Sequence, residues 1–77
     1  MHEIIKKILS DSFNIYKIEV GGTDAKYDVT IITDDFAGKN TIERHKMVYA
    51  LLNKFIETGE IHALTIRSLT KDEDEES

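Results

Sequence analysis

Two histidines and a small group of cations are the side chains in this sequence best placed to do chemistry. His62 opens an alternating apolar run, Ile61-His62-Ala63-Leu64. A neutral imidazole suits iron well, so His62 is the leading metal-ligand candidate. The plainer alternative is a half-buried histidine hydrogen-bonded to backbone, the commoner fate of a lone one. His45 lies between Arg44 and Lys46, with Lys39 nearby, close to the start of a helix. Positive charge there coincides with the positive end of the helix dipole, where a partner's phosphate or carboxylate could bind. The bland counterpart is a solvated, mildly basic surface. Three successive helical residues also spread around about 200°, so they do not form one patch.

Catalytic groupings are missing. The chain has no cysteine, hence no thiol nucleophile. Ser10, Ser12, Ser68 and Ser77 lie in no nucleophile-elbow context. The glycines form neither GxGxxG nor a P-loop, and the histidines do not fall into HExxH. Asp34-Asp35 is a carboxylate pair more typical of a turn than of acid–base chemistry. These residues describe a non-enzyme.

The elements that must hold these groups follow from periodicity. Ile4, Ile5, Ile8, Leu9 and Phe13 make the stripe of an amphipathic helix. From Ile15 to Val20 the period changes to two, and it resumes over Tyr27, Val29 and Ile31. Gly21, Gly22, Thr23 and Asp24 between the runs predict an antiparallel hairpin. Asp34–Lys39 reads as a loop, after which Asn40 and Glu43 have the spacing of a capping box. Ile42, Val48, Tyr49, Leu51, Leu52, Phe55 and Ile56 form the expected buried stripe of the main helix, which could break near Arg44–Lys46. Gly59 is its expected left-handed stop. Ile61–Leu69 is a third strand, and His62 shares the parity of Leu64 and Ile66, which predicts a rim position against apolar atoms. A helix between strands two and three makes them parallel neighbours with a right-handed crossover. The expected fold class is α+β, a two-layer sandwich in the order α-β-β-α-α-β, with helices on one face of a three-stranded mixed sheet.

Seventy-seven residues suffice for one small domain. The net charge of −5 is concentrated at one end. Residues 71–77 hold one lysine and five acidic side chains, against nine basic and ten acidic in residues 1–70. The expected organisation is therefore a domain over 1–70 and an acidic, disordered tail over 71–77. Such acidity disfavours non-specific binding to nucleic acid. No apolar run is long enough to cross a bilayer and no signal-peptide core is visible, so the reading is a cytoplasmic protein without a membrane partner.

Three linked motifs, Phe36-Ala37-Gly38, Arg44-His45-Lys46 followed by Val48-Tyr49, and Ile61-His62-Ala63-Leu64, resemble the signature of the BolA family. The likeness covers roughly residues 3–70. It implies a KH type II-like fold and a heterodimer with a monothiol glutaredoxin. In such a pair a [2Fe–2S] cluster is shared between the glutaredoxin cysteine, glutathione and ligands from the BolA partner, and none is held tightly by the BolA chain alone. The resemblance makes His62 one ligand. It places a second, histidine or cysteine, in the loop between the first two strands, where this chain has Ala25 or Lys26 before Tyr27. A lysine ammonium must lose a proton first, against a reference pKa of about 10.4. Asp24 has the right charge but is a hard oxygen donor, a weak additional candidate. Where the family continues into a Thr-Pro…Trp segment, this chain reads Thr70-Lys71-Asp72. Some BolA proteins are transcriptional regulators, so DNA binding through Lys39, Arg44, His45 and Lys46 is the rival expectation.

Overall fold

The computed structural model describes residues 1–76. Its elements are α1 (His2–Ser12), β1 (Lys17–Thr23), β2 (Lys26–Ile32), a 3-10 turn (Asp34–Phe36), α2 (Thr41–Glu57), β3 (Ala63–Leu69) and α3 (Lys71–Glu76). The strands form one mixed sheet in the order β1-β2-β3, with β2 antiparallel to β1 and parallel to β3. Apolar residues one turn apart on α1 (Ile5, Leu9) and α2 (Val48, Leu52) meet the alternate strand positions Val29, Ile31 and Ile66 in one core. Phe13, Phe36 and Ile61, from the connections, complete it. This is the α+β two-layer arrangement expected from the periodicities.

The main helix begins as its sequence requires. The Asn40 side chain accepts from the Glu43 amide at 2.9 Å, and the Glu43 carboxylate accepts from the Asn40 amide at 3.0 Å. It stops at Thr58, with Gly59 at φ +83°.

Several details differ from the sequence reading. α2 is unbroken through Arg44–Lys46; the helical pair expected between β2 and β3 is a 3-10 turn followed by this single helix. Ile42 and Tyr49 are exposed, not buried. Tyr49 spans the edge of the sheet, donating its hydroxyl to the Leu64 carbonyl at 3.2 Å. Gly21 and Gly22 belong to β1, and the hairpin tip is Asp24-Ala25. Both tip residues have positive φ, 54° and 65°, the handedness that matches a two-residue hairpin loop to strand twist. β3 starts at Ala63, so Ile61 and His62 precede it.

The largest departure is the acidic tail. Residues 71–76 form α3; Ser77 lies outside the described residues. Thr70 and Glu73 make a second capping box, with the Thr70 amide donating to Glu73 Oε1 at 2.7 Å and the Glu73 amide to Thr70 Oγ1 at 3.3 Å. The pattern was present in the sequence but masked there by the run of like charges.

Candidate functional site

His62 stands at the end of the sheet that carries the hairpin tip. Its backbone amide donates to the Ala25 carbonyl at 2.6 Å, and the Ala63 amide donates to the same oxygen at 3.2 Å. In register, Lys26 lies beside Ala63 and Tyr27 beside Leu64. The backbone of His62 is therefore tied to the β1–β2 turn while its side chain is exposed and, among the described residues, makes no hydrogen bond or ion pair. This corrects the expected rim position against apolar atoms: the residue precedes the strand, and strand parity does not govern it.

Asp24, the weak additional metal candidate, is exposed at the hairpin tip, and Lys26 next to it is exposed as well. The three residues thus share one end of the fold. Among the described residues no group of three or more His, Cys, Asp or Glu could hold a metal ion. The side-chain donors of this end are the exposed His62 imidazole and the Asp24 carboxylate, too few to hold a metal ion without donors from another molecule.

His2 belongs to the same end and was missed by sequence reasoning. Its Nε2 lies 2.9 Å from the Gly22 carbonyl, and its ring meets the Tyr27 ring edge-on at 5.3 Å. In the neutral form the proton then belongs on Nε2, leaving Nδ1 with its lone pair. Nothing local in the sequence signals this, since it depends on α1 being laid along β1.

The cations expected at the start of α2 are not brought together. Lys46 is exposed, and Lys39 and His45 are half-buried. Arg44 is buried, at 8% exposure. Its Nε donates to the Lys39 carbonyl at 2.8 Å, and Nη1 donates to the Ser68 carbonyl at 3.1 Å. Nη1 and Nη2 also grip the Glu73 carboxylate of α3 at 2.6 and 3.3 Å. The guanidinium carbon lies 5.8 Å from the centre of the Phe36 ring. Arg44 is therefore an internal junction between α2, β3 and α3, which corrects its reading as a free surface cation. The junction holds the Glu73 carboxyl at about 2, well below its ordinary value of 4.5. The Arg44 hydrogen bond is the main cause and the Thr70 amide the next.

Beside this junction, Asn14, Ile15, Tyr16, Asp34, Asp35 and Lys71 line a hollow of about 210 Å³. Its carboxylates are in use: the Asn14 amide donates to Asp35 Oδ2 at 2.7 Å and the Lys71 amide to Asp34 Oδ1 at 3.1 Å. That agrees with Asp34-Asp35 as turn chemistry.

A small mixed sheet packed against α1 and α2, with His62 exposed beside the hairpin tip, defines a small α+β module. Comparison with known proteins makes the class specific. A family profile described as BolA-like protein matches residues 7–73. The chain is 41% identical over 71 residues to a protein from the rpoN-murA intergenic region of Acinetobacter guillouiae, covering 92% of this chain and 86% of that one. BolA1 from Arabidopsis thaliana superposes with a TM-score of 0.85 at 28% identity, covering 94% and 93% of the two chains. The BolA domain of SufE1 from the same plant gives 0.83 at 27% identity, with 94% and 93% covered. The chain belongs to the BolA family. Among the described residues no helix is long and apolar enough to cross a membrane.

Proposed function

We propose that this protein is a non-enzymatic BolA adaptor that binds a monothiol glutaredoxin and takes part in iron–sulfur cluster handling. In this reading His62 contributes one ligand to a [2Fe–2S] cluster whose other donors are the glutaredoxin cysteine and glutathione. The observation that carries the reading is the state of His62: an exposed imidazole without a partner of its own, on a backbone fixed by two hydrogen bonds to one carbonyl. A ligand to a shared centre needs that combination, because positioning comes from the scaffold and the donor atom must remain free. The family resemblance supports the partner, and a BolA domain that forms part of SufE1 supports a role beside other proteins.

Ala25 or Lys26 occupies the place of the second family ligand, so the shared centre has fewer strong donors from this side. Asp24 is the nearest anionic substitute by position, as a hard oxygen donor. The test is to mix the protein with a cluster-loaded monothiol glutaredoxin and follow visible circular dichroism. A new spectrum that disappears with His62→Ala is expected, and absence of both complex and spectral change would sink the reading. Lys26→His should lengthen the lifetime of the shared cluster; an unchanged lifetime would refute the missing-ligand step.

The DNA-binding alternative loses its central cation to the interior, since Arg44 is bonded to Glu73 of an acidic helix.

A further inference from the structure

The Arg44 junction has an asymmetry. Everything that orients the guanidinium, apart from Glu73, belongs to the body of the fold. Nε is fixed by the Lys39 carbonyl, Nη1 by the Ser68 carbonyl, and the group lies near the Phe36 ring. Remove α3 and those contacts remain, leaving a preset fork with Nη2 and part of Nη1 facing outward. An arginine held in this way presents parallel donors matched to a carboxylate.

α3 is the opposite case. It has six residues, five of them acidic, with the sequence KDEDEE. Isolated helices shorter than about 12 residues are marginal in water, and like charges one turn apart weaken them further. Its order depends heavily on one side chain. Glu73 closes the capping box with Thr70 and at the same time fills the Arg44 fork. Other ties of α3 include the Lys71 amide to Asp34 and the Lys71 ammonium 4.9 Å over the exposed Tyr16 ring.

We propose that the Arg44 fork is a recognition site for a carboxylate presented by a partner protein, and that α3 is its displaceable internal occupant. The occupant in the structure is itself a glutamate on an acidic segment, so an acidic peptide is the ligand class with the matching charge and geometry. Displacement couples two events. Displacing Glu73 from Arg44 removes the bidentate bond that anchors α3 to the body of the fold, so the docked helix and the occupied site are gained or lost together. The inference stands apart from the role assigned to His62, and its test contains neither iron nor glutaredoxin.

The experiment uses the full chain with Glu73→Gln, followed by proton–nitrogen NMR. Amide protection over Lys71–Glu76 should fall at least tenfold, and the Arg44 Nε resonance should shift. A peptide of sequence TKDEDEE, added at concentrations on the order of millimolar, should then return the Arg44 resonance toward its wild-type position. The same peptide with Gln in place of its Glu at the position equivalent to Glu73 should do less. Wild-type protein should respond weakly, because its own α3 competes at high effective concentration. Adding Arg44→Lys to Glu73→Gln keeps the charge but loses the fork, and should abolish the response. Retained α3 protection in Glu73→Gln would overturn the coupling. Loss of protection without peptide binding would show a purely structural ion pair and overturn the site. Inorganic phosphate binding as well as or better than the peptide would overturn the carboxylate assignment.

Discussion

The sheet has two ends, about 20 Å apart for strands of this length, and they use their polar residues in opposite ways. At the hairpin end His62, Asp24 and Lys26 are exposed, and the order there comes from backbone hydrogen bonds converging on Ala25. At the other end Arg44 is buried against two carbonyls and a carboxylate, while Asp34 and Asp35 hold neighbouring amides. Donors and acceptors at that end are largely consumed by the fold. A charged residue in a signature motif is therefore not by that fact a functional group. What separates the two ends is residual bonding capacity: the first leaves its polar side chains exposed, while the second engages them within the fold.

The comparison breaks most visibly at Arg44. Arg44→Ala removes hydrogen bonds to the Lys39 and Ser68 carbonyls and the buried stem of the side chain, and should cost about 2–3 kcal/mol by urea unfolding. The proposed glutaredoxin interaction at the far end should survive under folding conditions. A loss below about 0.5 kcal/mol would mean that the junction is not architectural. Its pH signature is equally directional. Because folding lowers the Glu73 pKa from 4.5 to about 2, its contribution is complete above about 4.5 and is lost as pH falls through about 2. Glu73→Gln should flatten that part of the acid-denaturation curve while leaving the neutral plateau level.

At the hairpin end the sensitive positions should be backbone positions. Gly22 sits at φ +110°, and a Cβ there would collide with the Lys26 carbonyl oxygen and come within 2.8 Å of Tyr27 Cα. Gly22→Ala should therefore cost about 2 kcal/mol through strain in the hairpin. Ala25 is the converse, a residue with a Cβ held at φ 65°. Ala25→Gly relieves a left-handed conformation and should stabilise by about 0.5–1 kcal/mol, net of the extra chain entropy of glycine. If Ala25→Gly destabilises instead, the tip is not the source of strain its dihedral implies.

The same contrast explains what could be read in the sequence. Periodicity identified the hairpin, the main helix, the parallel third strand and the α+β class, because those features depend on which residues bury together. The Asn40–Glu43 cap and the Gly59 stop were legible because capping chemistry is local. Arg44 was misread because its burial depends on Ser68 and Glu73, each more than twenty residues away. α3 was missed since six residues with five carboxylates look disordered until an arginine from another element is placed against them. His62 was identified as a candidate, but its exposure comes from β3 beginning at Ala63, two residues later than expected, which alternation could not date. His2 had no signal at all.

The smallest stability effect belongs to the residue with the largest proposed role. His62→Ala deletes an exposed ring with no side-chain hydrogen bond and keeps both amide bonds to Ala25, because those come from the backbone. Its unfolding free energy should stay within about 0.5 kcal/mol of wild type. In the same variant the visible dichroism of the cluster-loaded glutaredoxin mixture should lack the feature expected of wild type. The pairing of near-zero stability change with lost spectral change is what a free ligand predicts and a structural histidine does not. A destabilisation comparable to that of Arg44→Ala would place His62 with the architecture, and the contrast between the two ends would collapse.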